Sequence, residues 1–240
     1  HATPDGHTLL IGTLSLVVSP LLYKELPFDP KGLAPVSLVV LTQNVICVNP
    51  KVEATSIKEL ISLAKSKPMR YGSSGRGSSA FLTLELLKSM AGIELQEIPY
   101  KSTAQAVTDL MSGEIPVYPP SLVSAIPLIK SGRIRALAVT SSKRIDQFAE
   151  LPTVAEAGVA GFAVDNWYGV LAPRGTPKEI VGRLHAEINR ALGMNDVKER
   201  LAGLGIFPFT APTPEAFGDY IKAEIAKYAQ VVKAAGVRLD

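Results

Sequence analysis

Short apolar runs suited to strands alternate with segments of helical period along most of this chain, and that alternation narrows the fold more than any other feature. HTLLIGT (7–13), LAPVSLVVLTQNVICVNP (33–50), IELQEIPY (93–100), IRALAVTS (134–141) and FAVDNWYGVLAP (162–173) read as strands, most of them closed by glycine, asparagine or proline. Between them SIKELISLAKSK (56–67) is helical: Ser56 can cap, Glu59 sits at the capping-box position, and Ile57, Leu60, Ile61 and Ala64 share a face. Further helices are expected from the serines near 79 to about Met90, over 103–113 with Gly113 as the stop, and over 123–132. Two amphipathic helices close the chain, at 176–193 and 213–236, each opening on Thr-Pro as cap and first helical residue. EIPVYPPS is a strand that runs into a proline-rich loop. The order predicts an α/β protein with largely parallel sheets. The two long extended segments, 33–50 and 162–173, fit strands that cross between two lobes.

Several function classes are disfavoured early. Lys and Arg number 25 against 22 Asp and Glu, with no run of one sign, so a nucleic-acid footprint is absent. Cys47 is the only cysteine and lies inside NVICVNP, which reads as a buried strand rather than a nucleophile or thiolate ligand. His1, His7 and His185 have no metal-ligand spacing, so no metal and no catalytic residue is assigned. No apolar run reaches the ~18 residues needed to span a bilayer. The chain opens on HATPDGHTLL without methionine or signal peptide, which reads as a beginning already removed and carries no information on compartment.

The stretch MRYGSSGRGSSAFLTLELLK (69–88) is the one most suggestive of a ligand. A short strand empties through Gly72-Ser73-Ser74-Gly75-Arg76-Gly77-Ser78-Ser79 into a Leu-rich helix. Unpaired first-turn amides and the helix dipole make such a place attractive to an anion. A P-loop fails because Ser78 follows Gly77 where lysine is needed, and a hydrolase elbow fails because Arg76 stands where glycine is needed. Gly75-Arg76-Gly77-Ser78-Ser79-Ala80 does match a relaxed dinucleotide fingerprint, with Glu94 and Glu97 downstream as ribose acids. Against it, the preceding strand is short and carries Arg70, and neither glutamate sits at a strand's C-terminal end. A plain turn and a carboxylate cradle are the other readings; in the second, Ser73, Ser74, Gly75, Gly77, Ser78 and Ser79 supply donors. Lys101-Ser102-Thr103 repeats the strand-to-helix logic and offers either a second donor cluster on the same sheet edge or a simple cap. Asp165-Asn166-Trp167-Tyr168 is either a cleft lining at a hinge or core packing.

Taken together, PDGHTLLIGT, YGSSGRGSSAFLTLELLK, IPYKSTAQAVTDLMSGEI, IKSGRIRALAVTSSKR and LPTVAEAGVAGFAVDNWYGVLAPRGTP resemble the substrate-binding proteins of tripartite tricarboxylate transporters, the Bug proteins, in order along essentially the whole chain. The resemblance implies a type II periplasmic binding fold of two α/β lobes: lobe I from 1–42 and 167–240, lobe II from 43–166, closing near 42–45 and 165–168. It implies a secreted, periplasmic protein, not itself membrane-spanning, that captures a small organic carboxylate for a membrane permease and needs no cofactor. The Gly-Ser loop at 72–79 would hold the carboxylate, with Thr13 and the loop at 101–104 facing the same cleft. Asp165 and Tyr118 complete the expected lining. Such proteins carry a further N-terminal segment whose loop supplies the other half of the grip. They also commonly have histidine where Phe81 stands and glycine where Ser102 stands. VYPPS (117–121) replaces an acidic-aromatic run, which points to a less polar or aromatic acid as ligand.

Overall fold

The computed structural model describes residues 2–26, 29–145, 148–203 and 206–235; His1 and Gly236 lie outside these. The chain divides into two compact units, His1–Thr42 with Asn166–Asp240 and Gln43–Asp165.

In the first unit, β1 (Leu10–Thr13) leads into α1 (Leu14–Leu22), and β2 (Leu33–Gln43) follows. β8 (Asp165–Pro173), α6 (Lys178–Gly193), α7 (Asn195–Gly203), β9 (Phe207–Pro208) and α8 (Pro214–Ala235) form the return. The sheet order is β1-β8-β2-β9, with β1 antiparallel to β8 and β9 antiparallel to β2. Residues 14–22 contain Pro20 and the Val17-Val18 pair, which disfavour a helix interior. They nonetheless bury Leu14, Val17, Val18 and Leu22 along one face, and α1 packs on α8. Tertiary burial overrides the weak local propensity.

Trp167 on β8 is fully buried and meets Phe217 and Tyr220 of α8 edge-on, at centroid distances of 5.7 and 6.3 Å. The neighbouring Tyr168 stays exposed and pairs in register with Thr13. Of the two readings of Asp165-Asn166-Trp167-Tyr168, core packing therefore holds for Trp167. α6 presents Val181, Leu184 and Ile188 to Val36, Val170 and Ala172. His185 donates from Nδ1 to the Val36 carbonyl at 2.9 Å, and its Nε2 lies 2.9 Å from Asn189 Nδ2. It knits helix to sheet. The two Thr-Pro openings differ: Thr213 Oγ1 accepts the Ala216 N–H at 3.1 Å, a true cap. Thr176 instead donates to the Pro173 carbonyl at 2.8 Å, and Pro177 itself occupies the cap position.

The second unit runs β3 (Val45–Val48), α2 (Ile57–Ser66), β4 (Arg70–Ser73), α3 (Ser79–Ala91), β5 (Gln96–Pro99), α4 (Thr103–Ser112), β6 (Val117–Tyr118), α5 (Leu122–Lys130) and β7 (Arg135–Val139). Its sheet order is β5-β4-β6-β3-β7. β4 is parallel to β5 and β6, but β3 is antiparallel to both β6 and β7. This sheet is thus mixed, and the pairs β1·β8 and β2·β9 of the first sheet are antiparallel, so the expectation of largely parallel sheets fails. Helical crossovers fix the direction of strands inside a unit, whereas β3 enters from β2 across Asn44 alone, with no crossover to orient it. The long 33–50 run is two strands belonging to two sheets.

Ser56 caps α2 by accepting the Glu59 N–H at 3.2 Å, and Glu59 reaches back to the N–H of Thr55 at 2.6 Å. Cys47 is wholly buried, and burial drives its thiol pKa up, which leaves it unreactive. α3 is buried on every side from Ala80 to Leu87. A helix hydrophobic all round belongs in a core, and its one buried acid, Glu85, is satisfied by the Tyr71 hydroxyl at 2.7 Å and Lys88 at 2.8 Å.

Candidate functional site

Because β4, β5 and β6 are parallel, the turns after β4 and β5 and the end of β6 share one edge of the sheet. Ligand sites of α/β sheets lie at such edges. The turn after β4 passes through left-handed backbone at Gly75 (φ 99°) and Gly77 (φ 86°), which only glycine adopts without strain. Ser78 then caps α3, its hydroxyl accepting the Phe81 N–H at 3.2 Å, while its own N–H donates to the Gly75 carbonyl. The amides of Ser79 and Ala80 stand ahead of the first helical bond, as the first residues of any helix do.

Buried polar bonds pin this turn from behind. The Ser73 hydroxyl, fully buried, donates to Glu97 Oε1 at 2.5 Å and accepts the Gly75 N–H at 3.1 Å. Burial raises the pKa of the Tyr118 hydroxyl, and the neighbouring Thr103 and Ser74 hydroxyls oppose that rise. Asn44 donates from Nδ2 to Ser79 Oγ at 3.1 Å. Asn44 is itself held through its backbone by Thr140, whose hydroxyl also donates to the Val164 carbonyl at 2.8 Å. Arg76, half exposed, brings Nε to 3.7 Å from Glu97 Oε2.

The expected site residues thus fall into groups. Ser73, Ser74, Gly75, Gly77, Ser78, Ser79, Thr103 and Tyr118 come together at one edge of one unit. Lys101 and Ser102 flank them; Ser102 caps α4 by accepting the Gln105 N–H at 3.3 Å, and both are exposed. Asp165 begins β8, half-buried. Thr13 belongs to the other unit, where its Oγ1 lies 2.8 Å from Ser15 Oγ.

Two participants escape a reading of local pattern. Asn44 had a signal, as half of the polar Gln43-Asn44 pair that interrupts the apolar 33–50 run. Glu97 had been weighed only as a ribose acid, yet its carboxylate lies beneath the turn against Ser73 and Arg76. That placement removes it from ribose recognition and leaves the dinucleotide reading only Glu94, which precedes β5 rather than following it. Tyr118, Pro119 and Pro120 are all buried, so the VYPPS run is core rather than an open apolar wall.

Comparison with known proteins adds an independent line. The profile of the tripartite tricarboxylate transporter family receptor matches residues 1–237. Protein BugT of Bordetella pertussis (strain Tohama I) is 35% identical over 240 residues, covering 98% of this chain and 73% of that protein. A protein from the tcbD–tcbE intergenic region of Pseudomonas sp. (strain P51) is 37% identical over 235 residues, covering 96% and 70%. Among solved structures, R. palustris Rpa4515 with adipate superposes with a TM-score of 0.86 at 36% identity, over 99% of this chain and 80% of that one. MatC from Rhodopseudomonas palustris with bound malate gives 0.81 at 30%, over 97% and 81%. The periplasmic binding protein BugD gives 0.84 at 32%, over 99% and 81%.

Proposed function

The chain belongs to the tripartite tricarboxylate transporter receptor family, and from that premise we propose that it captures a small organic carboxylate in the periplasm and delivers it to the transporter's membrane permease. It acts by binding and release, without chemistry on its cargo. Adipate and malate, held by two of its structural relatives, are acids of the expected kind. Among the described residues no helix is long and apolar enough to cross a membrane.

The observation that carries the reading is the pinned turn. The hydroxyls of Ser78 and Ser79 and the first amides of α3 converge beside glycines that let a guest approach the backbone closely. Ser73 and the Gly75 N–H bond one another and so frame the turn, while Ser74, Gly77, Ser78 and Ser79 meet the ligand. Thr103, Lys101 and Ser102 complete the edge, with Asp165 as further lining.

Calorimetry with small organic acids tests this. Ser78→Ala should weaken binding by ~1–2 kcal/mol, since backbone donors remain. Gly77→Val should abolish measurable binding, because a branched side chain is both strained at φ 86° and in the guest's way. Carboxylate affinity unchanged in Gly77→Val would refute the site. Saturable NAD(P)H binding would instead revive the oxidoreductase reading of Gly75, Gly77 and Ala80.

A further inference from the structure

Asn44 reaches the Gly-Ser turn from 35 residues away, a contact that no local pattern requires. The residue is buried, and its Nδ2 donates to Ser79 Oγ at 3.1 Å. Its backbone is held on both flanks. The Asn44 N–H donates to Thr140 Oγ1 at 3.1 Å, and the Thr140 N–H donates back to the Asn44 carbonyl at 3.0 Å. On the other side the Val45 N–H donates to the Pro120 carbonyl at 3.0 Å. The amide is therefore carried on a fixed frame. A hydroxyl that accepts a bond on its lone-pair side must turn its hydrogen elsewhere. Ser78 meets that condition as any cap does, by accepting the Phe81 N–H. Ser79 is the first residue of α3, where no capping bond falls to its side chain, and Asn44 supplies the bond instead. Among the described residues nothing accepts the Ser79 hydroxyl hydrogen in return. A hydroxyl polarised by a bond it accepts is a better donor, most of all to an anion. Burying an amide costs free energy unless it is bonded, so mutual satisfaction is the competing account of the pair, and that account has no link to ligand affinity.

We infer that Asn44 is a positioning residue for the ligand: by donating to Ser79 Oγ from behind, it fixes that hydroxyl as a donor to a carboxylate at the turn. Position 44 then requires a donor and not merely a polar side chain of the right shape. An acceptor there would draw the Ser79 hydrogen inward and present the guest with lone pairs. The inference rests on the turn being the carboxylate site.

Calorimetry on the full chain, with the straight-chain C4–C6 acid that the parent binds most tightly, tests this. Ser79→Ala should weaken binding roughly tenfold. Asn44→Ala should weaken it about three- to fivefold, because the released hydroxyl still turns to the acid part of the time. In the Ser79→Ala background, Asn44→Ala should change affinity by less than about 1.5-fold, since no hydroxyl is left to orient. Asn44→Asp keeps the shape but, once ionised, accepts where the amide donates and repels the acid. Its affinity relative to the parent at the same pH should therefore fall by roughly 30-fold between about pH 5 and about pH 9. A solely structural Asn44 gives equal losses in both backgrounds and a ratio that is flat with pH. Either result, or an affinity unmoved by Ser79→Ala, in variants folded by circular dichroism, would overturn this inference alone. The alanine cycle decides by itself where Asn44→Asp does not fold. A folded parent that binds none of the acids would overturn the receptor reading as well.

Discussion

The turns before α3 and α4 share an edge of one sheet and nearly the same ingredients, a strand end, small hydroxyl residues and a serine cap. The first is fastened into the core by Ser73 and Asn44, with Tyr118 lying against both turns, whereas the second is otherwise an exposed cap with Lys101 in solvent. A hydroxyl-rich turn becomes a rigid donor array only when buried partners take up the bonds that point inward. Without them it is a helix start and little more.

The largest test of that difference is at Gly72. A Cβ there would lie 2.5 Å from Ile115 Cδ1 and 3.2 Å from Tyr118 Cδ2. Gly72→Val should cost about 3 kcal/mol by overpacking, while Lys101→Val should stay within about 0.5 kcal/mol. Denaturant unfolding that ranked the two together would erase the distinction drawn here. Next come the paired serines. Ser73→Ala removes a fully buried hydroxyl and leaves the part-buried Glu97 Oε1 and Gly75 N–H without it, and should cost ~2 kcal/mol. Ser102→Ala removes only an exposed cap, worth ~1 kcal/mol. Equal losses in the same unfolding assay would mean that the buried bond contributes no more than the cap.

The smallest effect separates the two units by pH. In the second unit Glu59 and Glu156 have lowered pKa values, Glu59 through the Thr55 N–H and hydroxyl and Glu156 through the Thr153 N–H and Arg144. Such groups stabilise the fold above their unfolded pKa, and that contribution is lost as pH falls through the folded value. Glu224 in the first unit is shifted the other way, by burial that Lys227 only partly offsets. Its contribution is present below the unfolded pKa and lost as pH rises through the folded one. Glu224→Gln should therefore stabilise the protein modestly near neutral pH, with the gain shrinking toward about pH 4 in parallel denaturation series. A gain that grew on acidification would reverse the assignment.

Much of the local bonding was legible in the residues themselves. Ser56, Ser78 and Ser102 each cap a helix through the N–H three positions on, and Gly92 and Gly113 end α3 and α4 in left-handed backbone. The family-level fold was legible from the joint pattern of motifs. Pairings that depend on distant neighbours were not. Thr176-Pro177 and Thr213-Pro214 are spelled alike, yet only Thr213 caps, because Thr176 is drawn to the Pro173 carbonyl. The direction of β3, the helix hidden by Pro20, and the placement of Glu97 beneath the turn are likewise settled by packing between segments far apart in the chain.

Trp167 is the chain's only tryptophan, and its indole N–H is buried without a hydrogen-bond partner, against two aromatic edges within the first unit. The molecule thus carries a single indole, excitable selectively over its seven tyrosines and with short-wavelength emission, confined to the unit that does not contain the Gly-Ser turn. Its red shift on denaturation follows the melting of β8 against α8, while circular dichroism sums both units. Titrated with an acid, the same indole acts as a remote spectator: any change in its emission reports an event that has travelled beyond the turn itself.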